Sequence, residues 1–547
     1  MVSTHFEDNP TRPLAATDST VELNETSWVG NEYVVTGEAT RGGAIHVVGT
    51  TLRDTSSTFT GNAASELGGA VWGFFATVGL EKTTFAGNGR SLAGDAVSEG
   101  GALHLPGSLL VANDVVFTDN EADSASAVYQ SQFIAVLGGV VVDESGAGSP
   151  GPALVFEGTE LLATDLALQG LATDPTESCL VIRDAEATLD GLDPSGCPTR
   201  AVDVIDGTAL TVRDSTFDGL RSVGGGGAVR ALGIDTLRIE GSSFLDNHCA
   251  ADGLDPGDGG AVLTDAGTVW LQGSSFERNT SAASGGGLWA GDALVHVCET
   301  DLLDNVAGDD GGGLVAASLS SPSSEDGPEI CTRSSLVAGN TASGDGGGIR
   351  VSAGPTTLGA VDISDNLATD GGGVHTAGAL SVVDPPPTLS ANEATGSGGG
   401  IYLTTTGPAP ALGATAFLGN DAPAGSALFV TGIGWVADGA PETFSATSLA
   451  DETSGITFDA MSGSYDAGDG RGPQPTADEV TGSLVLDEGS SKYLLHRTAR
   501  HGTWSLSVTN DSFGTTYGVQ DDLDSCDLLA RTTTTVSCDA DRACECL

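Results

Sequence analysis

The groups able to do chemistry in this chain recur at fixed places around a short repeated block, Gly-Gly-(Ala/Gly)-(Ile/Leu/Val). In many copies the residue after the aliphatic is a ring or a guanidinium: His46, Trp72, His104, Tyr129, Trp289, Arg350, His375, Tyr402 and Phe429. The chain has only six Trp and six Tyr, yet this one position takes two of each. Rings held at one place in a repeat would form a solvent-facing column beside a strip of small Ala and Gly residues. Exposed rings stack on sugars, so the column is the candidate surface for a glycan or a protein. Covering the core is the competing role.

Carboxylates recur in the same way. Asp310, Asp345 and Asp370 precede the block in three consecutive copies, with Asp258 two copies earlier. Like charges stacked in register repel, so either water screens them or Ca²⁺ bridges them. No dense D-x-[DN]-x-[DN]-G loop appears, so a solvated turn is expected. Structural Ca²⁺ is the alternative, and no other cofactor is implied. The eight His are scattered, and no Ser-His-Asp or HExxH pattern stands out. Arg350, His375 and Asp345, on neighbouring copies, form the one candidate acid–base grouping.

Nine cysteines complete the inventory, and Cys526, Cys538, Cys544 and Cys546 crowd the C-terminal end. That usage fits an oxidising compartment. Cys298 and Cys331 lie at similar points of adjacent repeats and form one candidate disulfide; Cys179 and Cys197 form another. Cys179 occupies the small position of its block, so a buried free thiol is the competing reading there. Zinc at the C-terminal cluster is weaker, because Cys544-Glu-Cys546 lacks the usual C-x₂-C spacing.

These groups are positioned by the repeat itself. Counted by its small residue, the block falls at Ala44, Ala70, Ala102, Ala127, Ala153, Cys179, Ala201, Ala228, Ala261, Gly287, Gly313, Gly348, Gly373, Gly400 and Ala427, with a period near 26. A second block, Phe-x-x-Asn or a variant, lies upstream. It places Asn31, Asn62, Asn88, Asn120, Asn247, Asn279, Asn305, Asn340, Asn366, Asn392 and Asn420 at one repeat position. Before it run alternating stretches such as TLRIEGSSF (236–244), whose period of two means strand. Short strands and turns of this length cannot bury an apolar face alone, so repeats must stack. The expectation is all-β: a right-handed single-stranded parallel β-helix of about 15 coils. Ile45, Val71, Leu103 and their equivalents would point inward. The Phe would stack, and the Asn would bond to backbone and to the next Asn while tolerating a left-handed conformation. The Gly pair would turn the corner at positive φ.

Composition bounds the partners. There are 547 residues, with 20 Lys+Arg against 74 Asp+Glu, for a net charge of −54. Nucleic acid needs a basic face, so it is excluded as a partner. Anionic membranes are disfavoured for the same reason. The longest apolar run, Phe133–Val142, is too short to span a bilayer. The acidic surface also favours a soluble monomer. The first ten residues show no signal peptide, so export is inferred from cysteine usage and fold.

Alternating Phe-x-x-Asn and Gly-Gly-Ala-(Ile/Leu/Val) blocks over residues 21–430 resemble the polymorphic outer membrane protein repeat of bacterial surface proteins. The resemblance implies a pectin-lyase-like β-helix, extracellular or at the cell surface and often adhesive. No C-terminal membrane barrel accompanies it, and Phe-x-x-Asn is missing between Ala127 and Ala201. The expected organisation is a tail or cap at 1–20, the β-helix at 21–430, degenerate coils and a linker at 431–476, and a small disulfide-bonded β module at 477–547. The expected function is non-enzymatic, adhesin-like or structural, with binding along one face. A secreted polysaccharide lyase or hydrolase of the same fold is the alternative.

Overall fold

The computed structural model describes residues 3–430 apart from 12, 34–39, 91–98, 145–150, 170–176, 254, 319–328, 405–414 and 424; beyond 430 it describes the backbone of separate strands only. The chain is all-β and forms a right-handed parallel β-helix. Its contacts divide it into two units, Met1–Asp255 with Ala261–Ala266, and Pro256–Gly260 with Gly267–Leu547. The described residues contain no helix long and apolar enough to cross a membrane.

In the first unit, the strand after each Gly pair stacks on its equivalent one coil away. Leu14, Ile45, Val71, Leu103, Val128, Leu154, Leu180, Val202, Val229 and Val262 follow one another in register, all parallel. In the second unit, Leu288, Leu314, Ile349, Val374, Ile401 and Leu428 do the same. From Ile45 onward the described aliphatics of both ladders are at most 1% exposed, so they form the expected interior. The Phe strands make a second ladder, with Phe59, Phe85 and Phe117 stacked at 4.8 and 5.2 Å. Within this ladder Val142 and Leu168 take the place of Phe between Ala127 and Ala201, where the motif is missing.

Corner chemistry follows the expected glycine pair. Gly68 sits at φ +61°, and a Cβ on Gly69 would meet the Gly101 carbonyl of the next coil. Gly-to-Gly contact at this corner lets successive coils approach closely. One detail differs from expectation. The left-handed residue of the Asn corner is the one before the Asn, for example Gly61 at φ +62° or Asp119 at +53°. The Asn itself stays in an ordinary conformation because its side chain must point inward.

The N-terminal boundary is also corrected. His5–Glu7, Leu14–Thr17 and Thr20–Asn24 are strands of a first coil, so the stacked strands begin within the expected tail or cap and not at residue 21. His5–Glu7 pairs in parallel with Ser27–Val29, and Phe6 stacks on Trp28 at 4.1 Å. Phe6-Glu7-Asp8-Asn9 is itself a Phe-x-x-Asn block, and the Asn9 Nδ2 donates to the Asn31 Oδ1 at 2.6 Å. Beyond the helix proper, Gly482–Asp487 pairs antiparallel with Lys492–Arg497, as does Ser505–Asn510 with Thr515–Asp522. The C-terminal cysteines Cys526, Cys538, Cys544 and Cys546 fall outside the described side chains.

Candidate functional site

The Asn ladder is the frame on which the outward groups sit. In the second unit each Asn Oδ1 accepts from both the backbone N–H and the Nδ2 of the preceding Asn: Asn279 to Asn305, Asn305 to Asn340, Asn340 to Asn366, Asn366 to Asn392 and Asn392 to Asn420, all at 2.8–3.2 Å. The Nδ2 of Asn305, Asn340, Asn366, Asn392 and Asn420 also donates to a carbonyl of the preceding coil, as Asn340 does to Leu302. In the first unit Asn31, Asn62, Asn88 and Asn120 are joined likewise, and Leu220 N–H donates to Asn247. A buried amide with every hydrogen-bonding position filled carries no desolvation penalty.

Sequence reasoning did not find how the first ladder ends. Asn120 Nδ2 donates to Glu144 Oε1 at 3.3 Å, and Glu144 is 5% exposed. Burial pushes its carboxyl up to about 8. A neutral carboxylic acid keeps the acceptor of the amide it replaces, while its second oxygen, Oε2, is buried with no partner.

The outward column exists, with the expected residues in register: His46 beside Trp72, His104 beside Tyr129 in one unit, Arg350 beside His375 and His375 beside Tyr402 in the other. Its expected exposure is corrected. Trp72, His104, His375 and Phe429 are only 5–6% exposed, and His46, Tyr129, Trp289, Arg350 and Tyr402 are half-buried. The cause is the stacking itself. Coils lie about 4.8 Å apart, which is a ring-stacking distance, so each face is taken by its neighbour. His46 stacks on Trp72 at 4.4 Å, His104 on Tyr129 at 4.8 Å, His375 on Tyr402 at 4.5 Å and Tyr402 on Phe429 at 5.0 Å. Rings whose faces are occupied offer a sugar only their edges. In the first unit the polar tips are also engaged: His104 with Glu99 at 3.2 Å, and the Tyr129 hydroxyl donating to Glu157 at 2.8 Å. The hydrogen bond from His104 holds the Glu99 carboxyl below its usual range.

The second unit brings Arg350, His375 and Asp345 together. Arg350 Nε is 3.5 Å from Asp310 Oδ2, and its Nη1 donates to the Val351 carbonyl at 2.7 Å. His375 Nε2 is 3.6 Å from Asp345 Oδ2, beyond a good hydrogen bond. Burial pushes the Asp345 carboxyl up to about 6, with Asp310 adding to the effect, and the His375 imidazole down to about 3. The proton the pair takes up on acidification therefore goes to the carboxyl. His375 Nδ1 is buried with no partner.

The acidic corner works as separate turn caps. Asp310 Oδ1 accepts from Asp345 N–H at 2.8 Å, Asp370 Oδ1 from Ser397 N–H at 2.7 Å, and Asp258 Oδ1 from Ser284 N–H at 2.8 Å. Among the described residues, no three His, Cys, Asp or Glu side chains converge as a metal cage.

Cys179 and Cys197 form a disulfide with Cα atoms 6.2 Å apart, so the competing free thiol at Cys179 is set aside. Cys298 is also disulfide-bonded; the side chain of Cys331 lies outside the described residues. Two further groups escaped the sequence reading. Arg200 is 1% exposed and donates to the carbonyls of Gly224, Gly225 and Gly226. Trp270 stacks on the buried His296 at 3.7 Å, and burial lowers that imidazole to about 4. The only advance signal for the second group was a ring at one outward position of two adjacent strands.

Compared with family models, curated proteins and solved structures, the chain matches none.

Proposed function

We propose that the protein is an exported or cell-surface β-helix, adhesin-like or structural, that works by binding and not by catalysis. The observation that carries this reading is the internal use of the outward column. Its rings stack on one another, its aspartates cap backbone N–H groups, and Arg350 is held by Asp310. The paired motifs of the polymorphic outer membrane protein repeat support surface display. The disulfide of Cys179 and Cys197 supports an oxidising compartment. A net charge of −54 weighs against acidic polysaccharides and nucleic acid alike.

One observation favours a second reading, that of a polysaccharide lyase or hydrolase. Arg350, Asp345 and His375 do converge, with displaced proton affinities. One experiment separates the two. The full chain is incubated with polyuronates and neutral glycans while ultraviolet absorbance and reducing ends are followed. In parallel, the same chain immobilised on beads is tested for adhesion to cell-surface proteins and a glycan array. Adhesion without product is expected. Release of oligosaccharides that is lost in Asp345→Asn would overturn the proposal.

A further inference from the structure

The apolar run Phe133–Val142 is only partly explained by the ladders, which take up Val142, and not at all by the column. In the structure most of it belongs to the strand Val128–Gly138, whose second half, from Phe133 to Leu137, is apolar on both faces. Ala135 and Leu137 point inward and are buried; Ile134 and Val136 point outward. A strand that is apolar on both faces is ordinarily covered on both.

The outward positions of the neighbouring coils set the contrast. In one row Val111 lies beside Val136, which lies beside Leu162; in the other Ile134 lies beside Glu160, and Leu109 and Ile134 each precede a paired residue, Leu110 and Ala135. One coil earlier the equivalent positions are Thr77 and Gly79; one coil later than Leu162 the position is Thr188. The apolar face thus spans three coils in the Val136 row and two in the Ile134 row, where Glu160 closes it, and is not a general property of the repeat. Ile134 is 36% and Leu162 40% exposed, and Phe133, at the corner beside them, is 60% exposed. Phe75 extends the same corner, lying against Gly107 at 56% exposure.

Size and charge select the occupant. Two outward residues along a strand and three coils across span about 7 by 10 Å. That seats a few side chains of one segment and is too small for a globular interface. The rim is acidic: Glu81, Glu160 and Glu186 are exposed around it. The five strands that build and border the face carry no Lys or Arg, and adjacent Lys82 is taken up by Glu81 at 3.4 Å. A second copy of this chain would bring the same charge against itself, and the total is −54.

Resting on the binding-protein reading above, we propose that this face docks a segment of another protein with an apolar centre and basic flanks. The contact buries little surface, so affinity falls near the micromolar range, roughly 1–100 µM. Rim charges speed association and weaken with salt, while the apolar centre supplies selectivity.

The test uses the full chain and three synthetic peptides of one pattern: Leu/Lys, Ser/Lys and Leu/Glu. Calorimetry and fluorescence anisotropy should show the Leu/Lys peptide binding at least about tenfold more tightly than either control. The double variant Ile134→Thr, Leu162→Thr places the residue already used at Thr77 and Thr188, so the strands are retained. It should lose at least about tenfold of the Leu/Lys affinity with an unchanged melting curve. Photo-cross-linking of the Leu/Lys peptide to wild-type protein should label residues 133–138 whether or not the variant folds. Equal binding of Ser/Lys, retention of affinity by the folded variant, or labelling elsewhere overturns the proposal. So does no binding up to about 1 mM, or a wild-type dimer that the variant abolishes. Any of these leaves the adhesion and polyuronate assays untouched, so this proposal can fail while the binding reading stands.

Discussion

Replacing Glu144 by Gln should stabilise the protein, and increasingly so as pH rises. Glu144 ends the first Asn ladder, accepts from Asn120 and is buried. Its carboxyl is raised from 4.5 to about 8, chiefly by burial, with Asp119 and Asp143 adding repulsion. A folded-state value above the unfolded one means that the fold holds the proton more tightly than the open chain. The stability from that proton is complete below about pH 4.5 and is lost as pH rises through 8. Gln keeps the acceptor without a titrating proton, and its amide nitrogen takes the place of Oε2, which is buried with no partner. Each pH unit of displacement is worth about 1.4 kcal/mol. The advantage of Gln is therefore on the order of 1 kcal/mol at pH 5.5, 3 at pH 7 and 5 at pH 8.5. Urea unfolding of both proteins at these three pH values, followed by tryptophan fluorescence of Trp28 and Trp72, measures the difference. A Gln variant no more stable than wild type at pH 8.5, or an advantage that does not change with pH, would refute the account of Glu144 as a protonated amide substitute.

Asn340→Ala removes the acceptor of two bonds from Asn305 and two donations, to Leu302 and to Asn366; a loss of about 3 kcal/mol in urea unfolding is expected, against less for Asn420→Ala near the end of the ladder. Replacing both Cys179 and Cys197 by Ala opens a link with a sequence separation of 18 residues and should cost about 3 kcal/mol, and reductant should then lower the variant's stability less than it lowers that of wild type, since the disulfide of Cys298 remains. Arg200→Lys should destabilise nearly as much as Arg200→Ala, by about 3 kcal/mol, because a point charge cannot serve the carbonyls of Gly224, Gly225 and Gly226 together. His375, lowered to about 3, contributes stability above pH 6.5 that is lost as pH falls through 3, whereas Asp345, raised to about 6, contributes stability below about 4 that is lost as pH rises through 6. An NMR titration should accordingly show the His375 ring still neutral at pH 5, and a His375→Phe variant should keep the stack on Tyr402 and unfold less readily in acid.

The inward ladders were readable because a parallel stack makes every coil repeat the same choice. Ile45, Val71 and Leu103 must each be aliphatic, and Gly69 must lack a Cβ, for local reasons that recur every period. Exposure was not readable, since His375 is covered by Tyr402 from the next coil and not by anything near it in sequence. Glu144 was hidden because an acid standing where an amide belongs looks like one more surface carboxylate until its burial is known. The first coil was missed for a milder reason. Phe6 and Asn9 form the expected block, but no Gly pair precedes them, and the strand Leu14–Thr17 follows a proline-containing stretch.

The charge of the protein has a structural origin that bears on its partners. Corners between strands require a left-handed residue, and Asp18, Asp114, Asp165, Asp206, Asp214, Asp246, Asp304 and Asp365 take that role with φ between 44° and 56°. Among non-glycine residues, Asn and Asp tolerate this conformation best. Part of the acidity therefore lies at the corners that border the sheet faces, and that part arises whether or not a ligand needs it. Stacked carboxylates repel along each corner, so alternation with glycine relieves them: Asp206 is followed one coil on by Gly233, and Asp214 by Gly241. A face lying between such corners has an acidic frame by construction. What distinguishes the one around Ile134 and Leu162 is its apolar centre, and a centre of that kind is what a surface with this much charge would otherwise exclude.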